Sequence, residues 1–188
     1  MLETILTSIA AFAGTNIDDL FVDVVLFAQA DGKAAKRSVV AGKYIGIGIL
    51  FLMGWLGSLL VKSFSSKAIG FLGLIPIALG IWHIFSKEDS KDGSTTHSKG
   101  LLINTALMTL SNGADNIGVY VPLFAGFETA EMIIVAVVFV LMVAVWCCLA
   151  SKISDLPVLK RFLVRYRRAI IPAVYISLGI YILVKAFV

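Results

Sequence analysis

Six predominantly apolar runs dominate the chain, at roughly 3–29, 39–62, 67–86, 100–126, 130–151 and 169–187. A helix needs about 20 such residues to cross the hydrocarbon of a bilayer. Each run is close to that length, so the sequence predicts an all-α integral membrane protein with six transmembrane helices. Composition agrees: 59% of residues are hydrophobic and 15% charged, against about 45–50% and about 25% in soluble domains. Mean hydropathy is +0.95. The pI near 9.1 would raise nucleic-acid binding in a soluble protein. Here the basic residues lie between the apolar runs and speak for membrane topology, so no nucleic-acid partner is expected. The first run begins MLETILTSIAAFAG, with an acid and no Lys or Arg, and reads as a retained helix and not a signal peptide.

The segment 86–100, SKEDSKDGSTTHSKG, is polar and divides the runs into two groups of three. A single transport domain is expected, with repeat one at about 1–86, a polar cytoplasmic loop at about 87–99 and repeat two at about 100–188. The basic connection 152–168, KISDLPVLKRFLVRYRR, reads as a loop or a surface-lying segment. Thirteen Lys and Arg fall in or beside the connections 1–2, 3–4 and 5–6, and three (Lys62, Lys67, Lys185) fall on the opposite side. Positive charge marks the cytoplasmic face, which places both termini outside. Asn16-x-x-Asp19 and Asn112-x-x-Asp115 match at an offset of 96, as do Pro76 and Pro172. Three spans is an odd number, so a duplicated unit would enter the membrane from the opposite side. That is the inverted repeat typical of secondary transporters.

The stretch GTNIDDLFVDVVLF at 14–27 puts Asn16, Asp18, Asp19 and Asp23 in apolar company, and SNGADNIGVYVPLF at 111–124 does the same with Asn112, Asp115 and Asn116. One acid at the centre of a spanning helix costs about 2.5–3.5 kcal/mol to insert. No Lys or Arg lies in the first or fourth run, so a structural ion pair is not expected there. Protons, bound cations and water remain as partners. Residues three, four and seven apart share a helix face, so Asn16, Asp19 and Asp23 form one face, with Thr15 at its edge. Met108, Asn112, Asp115 and Asn116 form another. If the repeats pack together, the two Asn-x-x-Asp pairs meet near the midplane as an oxygen-rich cage for a divalent cation. Asp18 points away from Asn16 unless the first span is broken near Gly14. Asp23 lies on the cytoplasmic side, as a relay or a ligand on the way in.

Simpler readings accompany these. Asn16 and Asn112 serve equally as interhelical hydrogen-bonders. Cys147 and Cys148 are adjacent, match no Cys-x-x-Cys pattern, and read as inert packing or as soft ligands at the cytoplasmic end. Met108 fits core packing, His83 a snorkelling or capping role, and His97 solvent. Lys43 is expected to snorkel or to alter the cytoplasmic entrance. Gly42, Gly46, Gly54 and Gly57 are expected to let helices approach closely.

TNIDDLFV in the first run, GLIPIALGIW at 73–82 and AIIPAVYISLGIYIL at 169–183 resemble the bacterial cadmium-resistance transporter family, of the lysine exporter superfamily. The resemblance runs from about residue 4 to 187. It implies efflux of toxic divalent cations, chiefly cadmium, from the cytoplasm across the bacterial plasma membrane. The family motif carries over to Asn16, Asp18 and Asp19 and to Asn112 and Asp115. Chemistry alone differs: carboxylates and carbonyls suit magnesium, calcium or manganese, and soft thiolates suit softer metals. The oxygen-rich site speaks for a divalent cation such as manganese, and only the resemblance speaks for cadmium, with zinc second.

The chain is therefore expected to be a multi-pass exporter working by alternating access, not an enzyme, with no cofactor beyond the transported ion. Its partners would be the metal, protons in antiport, the lipid bilayer and, for a unit of six helices, a second copy in a homodimer. No Gly-x-x-x-x-Gly-Lys-[Ser/Thr] is present, which argues against ATP drive. The rivals are an amino-acid exporter, a manganese exporter, a passive channel and a membrane redox protein using Cys147 and Cys148.

Overall fold

The computed structural model describes residues 1–62, 71–72, 74–85, 98–155, 173 and 175–184. Among them there are helices and no strand. In chain order the helices are α1 (Leu2–Thr15), α2 (Asp19–Gln29), α3 (Gly32–Val61), α4 (Leu74–Phe85), α5 (Ser98–Asn112), α6 (Ala114–Ala125), α7 (Glu131–Ser154) and α8 (Tyr175–Val184). All six apolar runs hold helix, and among the described residues two helices, α3 and α7, are long and apolar enough to cross a membrane alone. The first and fourth runs are each two short helices in series. Two of the expected features, the 86–97 part of the polar loop with His97 and the 156–168 part of the basic segment, lie outside the described residues, as do Pro172 and the His83 side chain.

The exterior is hydrocarbon and the interior carries the polarity. Ile45, Ile49, Leu52, Met53 and Leu56 of α3 are exposed, as are Ile133, Val137, Val140, Leu141 and Val145 of α7. Asn16, Asp19, Asp23, Lys43, Thr105 and Asn116 are buried. Water would drive such a chain to turn its Leu and Ile inward. Lipid does not, and it forces ionisable side chains toward the bundle interior.

Packing is reciprocal between the two parts of the chain. Helix α3 runs along α5 and α6, while α7 runs along α1 and α2. In each part the long unbroken helix supports the broken helix of the other. Glycine makes the α3 seam close. A Cβ on Gly46 would stand 2.7 Å from Thr109 Cβ, one on Gly54 2.8 Å from Tyr120 Cβ, and one on Gly57 2.7 Å from Val121 Cγ2. Gly42 meets Leu102 and Thr105 of α5 in the same way. Without hydrophobic drive between helices in lipid, this backbone approach supplies the packing. At the α2–α3 connection Gly32 takes φ +78, the left-handed region that glycine adopts without penalty.

Hydroxyls within the helices are satisfied locally. Ser8 Oγ donates to Thr4 O at 2.6 Å, and Thr105 Oγ1 to Leu101 O at 2.7 Å. At the end of α1 that carries the amino terminus, Thr4 Oγ1 donates to Glu131 Oε1 at 2.6 Å. Lys62 Nζ donates to Phe127 O at 2.6 Å. These two bonds tie α1 to α7, and the end of α3 to the turn after α6.

Candidate functional site

Both Asn-x-x-Asp elements fall at helix breaks. Helix α1 stops at Thr15 because Asn16 leaves helical geometry, at φ −113 and ψ 11. Asp18 then caps the next helix, its Oδ1 accepting from the Asp19 amide at 3.0 Å. A short polar side chain competes well with helical bonding in this way. Trp146 Nε1, from α7, donates to the Asn16 carbonyl at 2.8 Å, so a backbone acceptor at the break is satisfied across the interface. The second break is shorter. Helix α5 ends at Asn112, and Gly113 is the only residue before α6. A Cβ at Gly113 would run into the Leu50 side chain. Asp115 Oδ1 accepts from the Asn116 amide at 3.0 Å, but within the first turn of α6, whose cap position is Gly113 with no side-chain cap bond. The first span is therefore broken near Gly14, as one reading required: the break is at residues 16–18, and Gly14 itself stays inside α1.

The carboxylates are not left unpaired, which corrects the expectation that no ion pair could form. Lys43, from α3, reaches between them. Its Nζ lies 2.7 Å from Asp19 Oδ2 and 3.1 Å from Asp23 Oδ2, and all three side chains are buried. Lys43 is only 1% exposed, so it neither snorkels nor lines a surface entrance. It also leaves the cytoplasmic charge count, which becomes twelve against three. A lysine in this place is held by its partners: removing one member of a buried pair typically costs about 3–5 kcal/mol.

The two halves are stitched at the same level. Asn112 Nδ2 donates to Asp19 Oδ1 at 3.0 Å, linking the Asn of one element to the Asp of the other. Tyr175 of α8 donates to Asp115 Oδ2 at 2.7 Å. Asp18 is half-buried and lies within electrostatic reach of Asp19 and Asp115. Asn16 Nδ2 donates to Tyr120 OH at 3.1 Å, and Thr15 Oγ1 shares a 2.9 Å bond with the same hydroxyl. The Asn16 Oδ1 and both amide atoms of Asn116 are buried with no hydrogen-bond partner. Buried amides without partners are uncommon, and here they sit within a few residues of the two breaks.

The remaining candidates divide. Cys147 is buried on α7, within electrostatic reach of Asp23 and Lys43. Cys148 is exposed. Met108 is partly buried and packs against the core. Among the described residues, no three of His, Cys, Asp and Glu gather closely enough to hold a metal ion. The acids are thus engaged by Lys43, Asn112 and Tyr175 and do not form a finished cage.

Phe12 of α1, which precedes the first break, and Tyr120 and Phe124 of α6, which follow the second, join Phe51, Phe139 and Trp146 in one aromatic cluster. Phe12 meets Phe139 and Trp146 edge-on at 5.3 and 5.5 Å, and Tyr120 stacks on Phe124 at 5.3 Å. Sequence reading missed Tyr120, Trp146 and Tyr175 because an aromatic residue in an apolar run carries no mark separating a hydrogen-bonding role from packing. Lys43 did carry one, a cation several residues inside the run 39–62, whose other lysine, Lys62, stands at its end.

Charge inside and hydrocarbon outside, with helices broken at buried acids, define an all-helical protein suited to a membrane and to moving a polar solute through it. The family model for cadmium resistance transporters matches residues 12–187. The chain belongs to that family. No curated protein and no solved structure matches the chain.

Proposed function

We propose that the protein exports a divalent metal cation, cadmium first and zinc second, from the cytoplasm across the cell membrane by alternating access coupled to proton return. One observation carries this reading: two discontinuous helices bring Asp18, Asp19 and Asp115 within electrostatic reach of one another inside an apolar bundle. Broken helices whose ends meet at mid-depth are how many transporters build a substrate site. The ligands proposed are Asp19, Asp115, Asp18, Asn16 and Asn112, with Asn116 supplying a buried oxygen that has no other partner. Asp23 and Cys147 lie on the cytoplasmic side, on the route in. Thr15 positions Tyr120 and is not proposed as a ligand. Cadmium as the substrate follows from the family. The oxygen donors are general to divalent cations.

The same reading takes the two groups of three spans as inverted repeats, with both termini outside. The reciprocal packing of α3 and α7 on each other's broken partners supports it. The aromatic cluster then closes the outer side of the site. The amino-acid reading gains a cation in Lys43, but that ammonium is already engaged by two carboxylates. Four acids (Asp18, Asp19, Asp23 and Asp115) against one lysine still favour a cationic substrate.

Carboxylates bind metal only when deprotonated, so binding should release protons and weaken as pH falls. The test is cadmium binding to purified protein in detergent, in weakly buffered solution at two pH values, for the wild type, Asp19→Asn and Asp115→Asn. The expected result is proton release by the wild type and loss of binding in both variants. Wild-type binding without proton release would remove antiport, and a variant that binds normally would remove that residue from the site.

A further inference from the structure

The Lys43 ammonium sits where a cation between Asp19 and Asp23 would sit, 2.7 and 3.1 Å from their Oδ2 atoms. The other Asp19 oxygen is already bonded to Asn112, so the oxygen that Lys43 covers is the one a metal would need. Beyond Lys43, α3 continues to Val61 without another charged residue, which makes this ammonium an isolated charge placed inside an apolar element. The backbone that carries it is fixed. Gly42 and Gly46 flank Lys43 on the seam with α5, where even one added carbon would collide with Thr105 or Thr109. The lysine stem, with four rotatable carbons, is the part free to move.

Two positive charges cannot share this place. A divalent ion held by Asp19 would stand a few ångströms from the ammonium, in surroundings where water screens little. One must leave for the other to bind.

We propose that Lys43 is a tethered surrogate for the transported cation: it neutralises Asp19 and Asp23 while the site is empty, is displaced when the metal binds, and returns to help expel it. The inference rests on the reading of Asp19 as a ligand of the transported ion. It adds a function for the lysine. The empty carrier is spared bare carboxylates in lipid, and the bound ion faces a competitor that never diffuses away. Site affinity is thereby held low enough for release.

The test compares cadmium dissociation constants of the wild type, Lys43→Met and Lys43→Gln, purified in detergent, with each variant's thermal unfolding measured alongside. Both substitutions remove the competing charge, so each variant should bind cadmium at least tenfold more tightly and export it more slowly in proteoliposomes. Lys43→Arg, which keeps the charge, should stay near the wild-type affinity. Folded Met and Gln variants that bind cadmium no more tightly than the wild type would overturn the proposal and leave Asp19 as a ligand. A wild type that binds no cadmium would overturn both readings. A second measurement needs no variant: acetic anhydride labelling of wild-type Lys43, read by mass spectrometry. Cadmium should increase the labelling, and labelling that is unchanged or reduced by cadmium would contradict displacement.

Discussion

At the residue scale, the interior acids divide by what holds them. Asp19 is gripped by Lys43 and Asn112, Asp115 by Tyr175, Asp23 by Lys43, and Asp18 by the amide it caps. Asp19 and Asp115 are the acids of the two Asn-x-x-Asp elements, so their loss would remove the paired ligands of the proposed site. Asp18 bonds the amide it caps, and Asp23 lies one turn further along α2, where Lys43 binds it. In cells expressing the protein, Asp18→Asn and Asp23→Asn should therefore lower cadmium export partially, while Asp19→Asn and Asp115→Asn abolish it. Cellular cadmium accumulation measures this, with membrane abundance of each variant as the control. Equal loss in all four would contradict the graded role. The acids and amides were legible in the sequence because charge in an apolar run is conspicuous. Their partners were not. Nothing local says that a lysine 24 residues away, or a tyrosine 60 residues away, closes the pair. That information is tertiary.

At the scale of the elements, the two breaks and the glycine seam set the geometry. That each apolar run holds helix could be read from its length, since lipid imposes a length on any crossing helix. The break positions could be read less finely. A break near Gly14 is one reading of the sequence, and the chain turns two residues later at Asn16, where Asp18 supplies a cap and Trp146 donates to a carbonyl. Side-chain capping fixes the position. The glycine seam was legible, and it can be tested with an internal control. Gly54 has Tyr120 against it, whereas Gly48 of the same helix has nothing within 4 Å. Gly54→Leu should lower stability by roughly 1–3 kcal/mol, the usual cost of overpacking. Gly48→Leu should be near neutral. Thermal unfolding in detergent compares them, and an equal effect at both positions would contradict close α3–α6 packing.

At the scale of the whole molecule, the proposed transport cycle requires two related halves in opposite orientation. The orientation proposed from charge bias would put the α2–α3 connection in the cytoplasm and the α6–α7 connection outside. Lys33 and Thr129 are exposed in those two connections or at their edges. Single cysteines at Lys33 and Thr129, with Cys147 and Cys148 replaced by alanine, should label from opposite sides of the membrane, Thr129 from outside. Labelling from one side would rule out the three-plus-three inverted arrangement. The offset of 96 between the Asn-x-x-Asp elements was visible in the sequence, because repetition at one offset is hard to mistake. The reciprocal support of each broken helix by the long helix of the other half was not, since it depends on which helices pack together.

Transport decides whether this architecture does what it is proposed to do. Purified protein in proteoliposomes, loaded with a metal-sensitive dye and offered cadmium, zinc, manganese and calcium in turn, would be followed with and without an imposed pH gradient. Cadmium should cross fastest and zinc next, with rates that rise when protons can flow the opposite way and vanish in Asp19→Asn and Asp115→Asn. Cadmium flux that ignores the pH gradient and survives both substitutions would contradict a proton-coupled exporter built on the paired breaks.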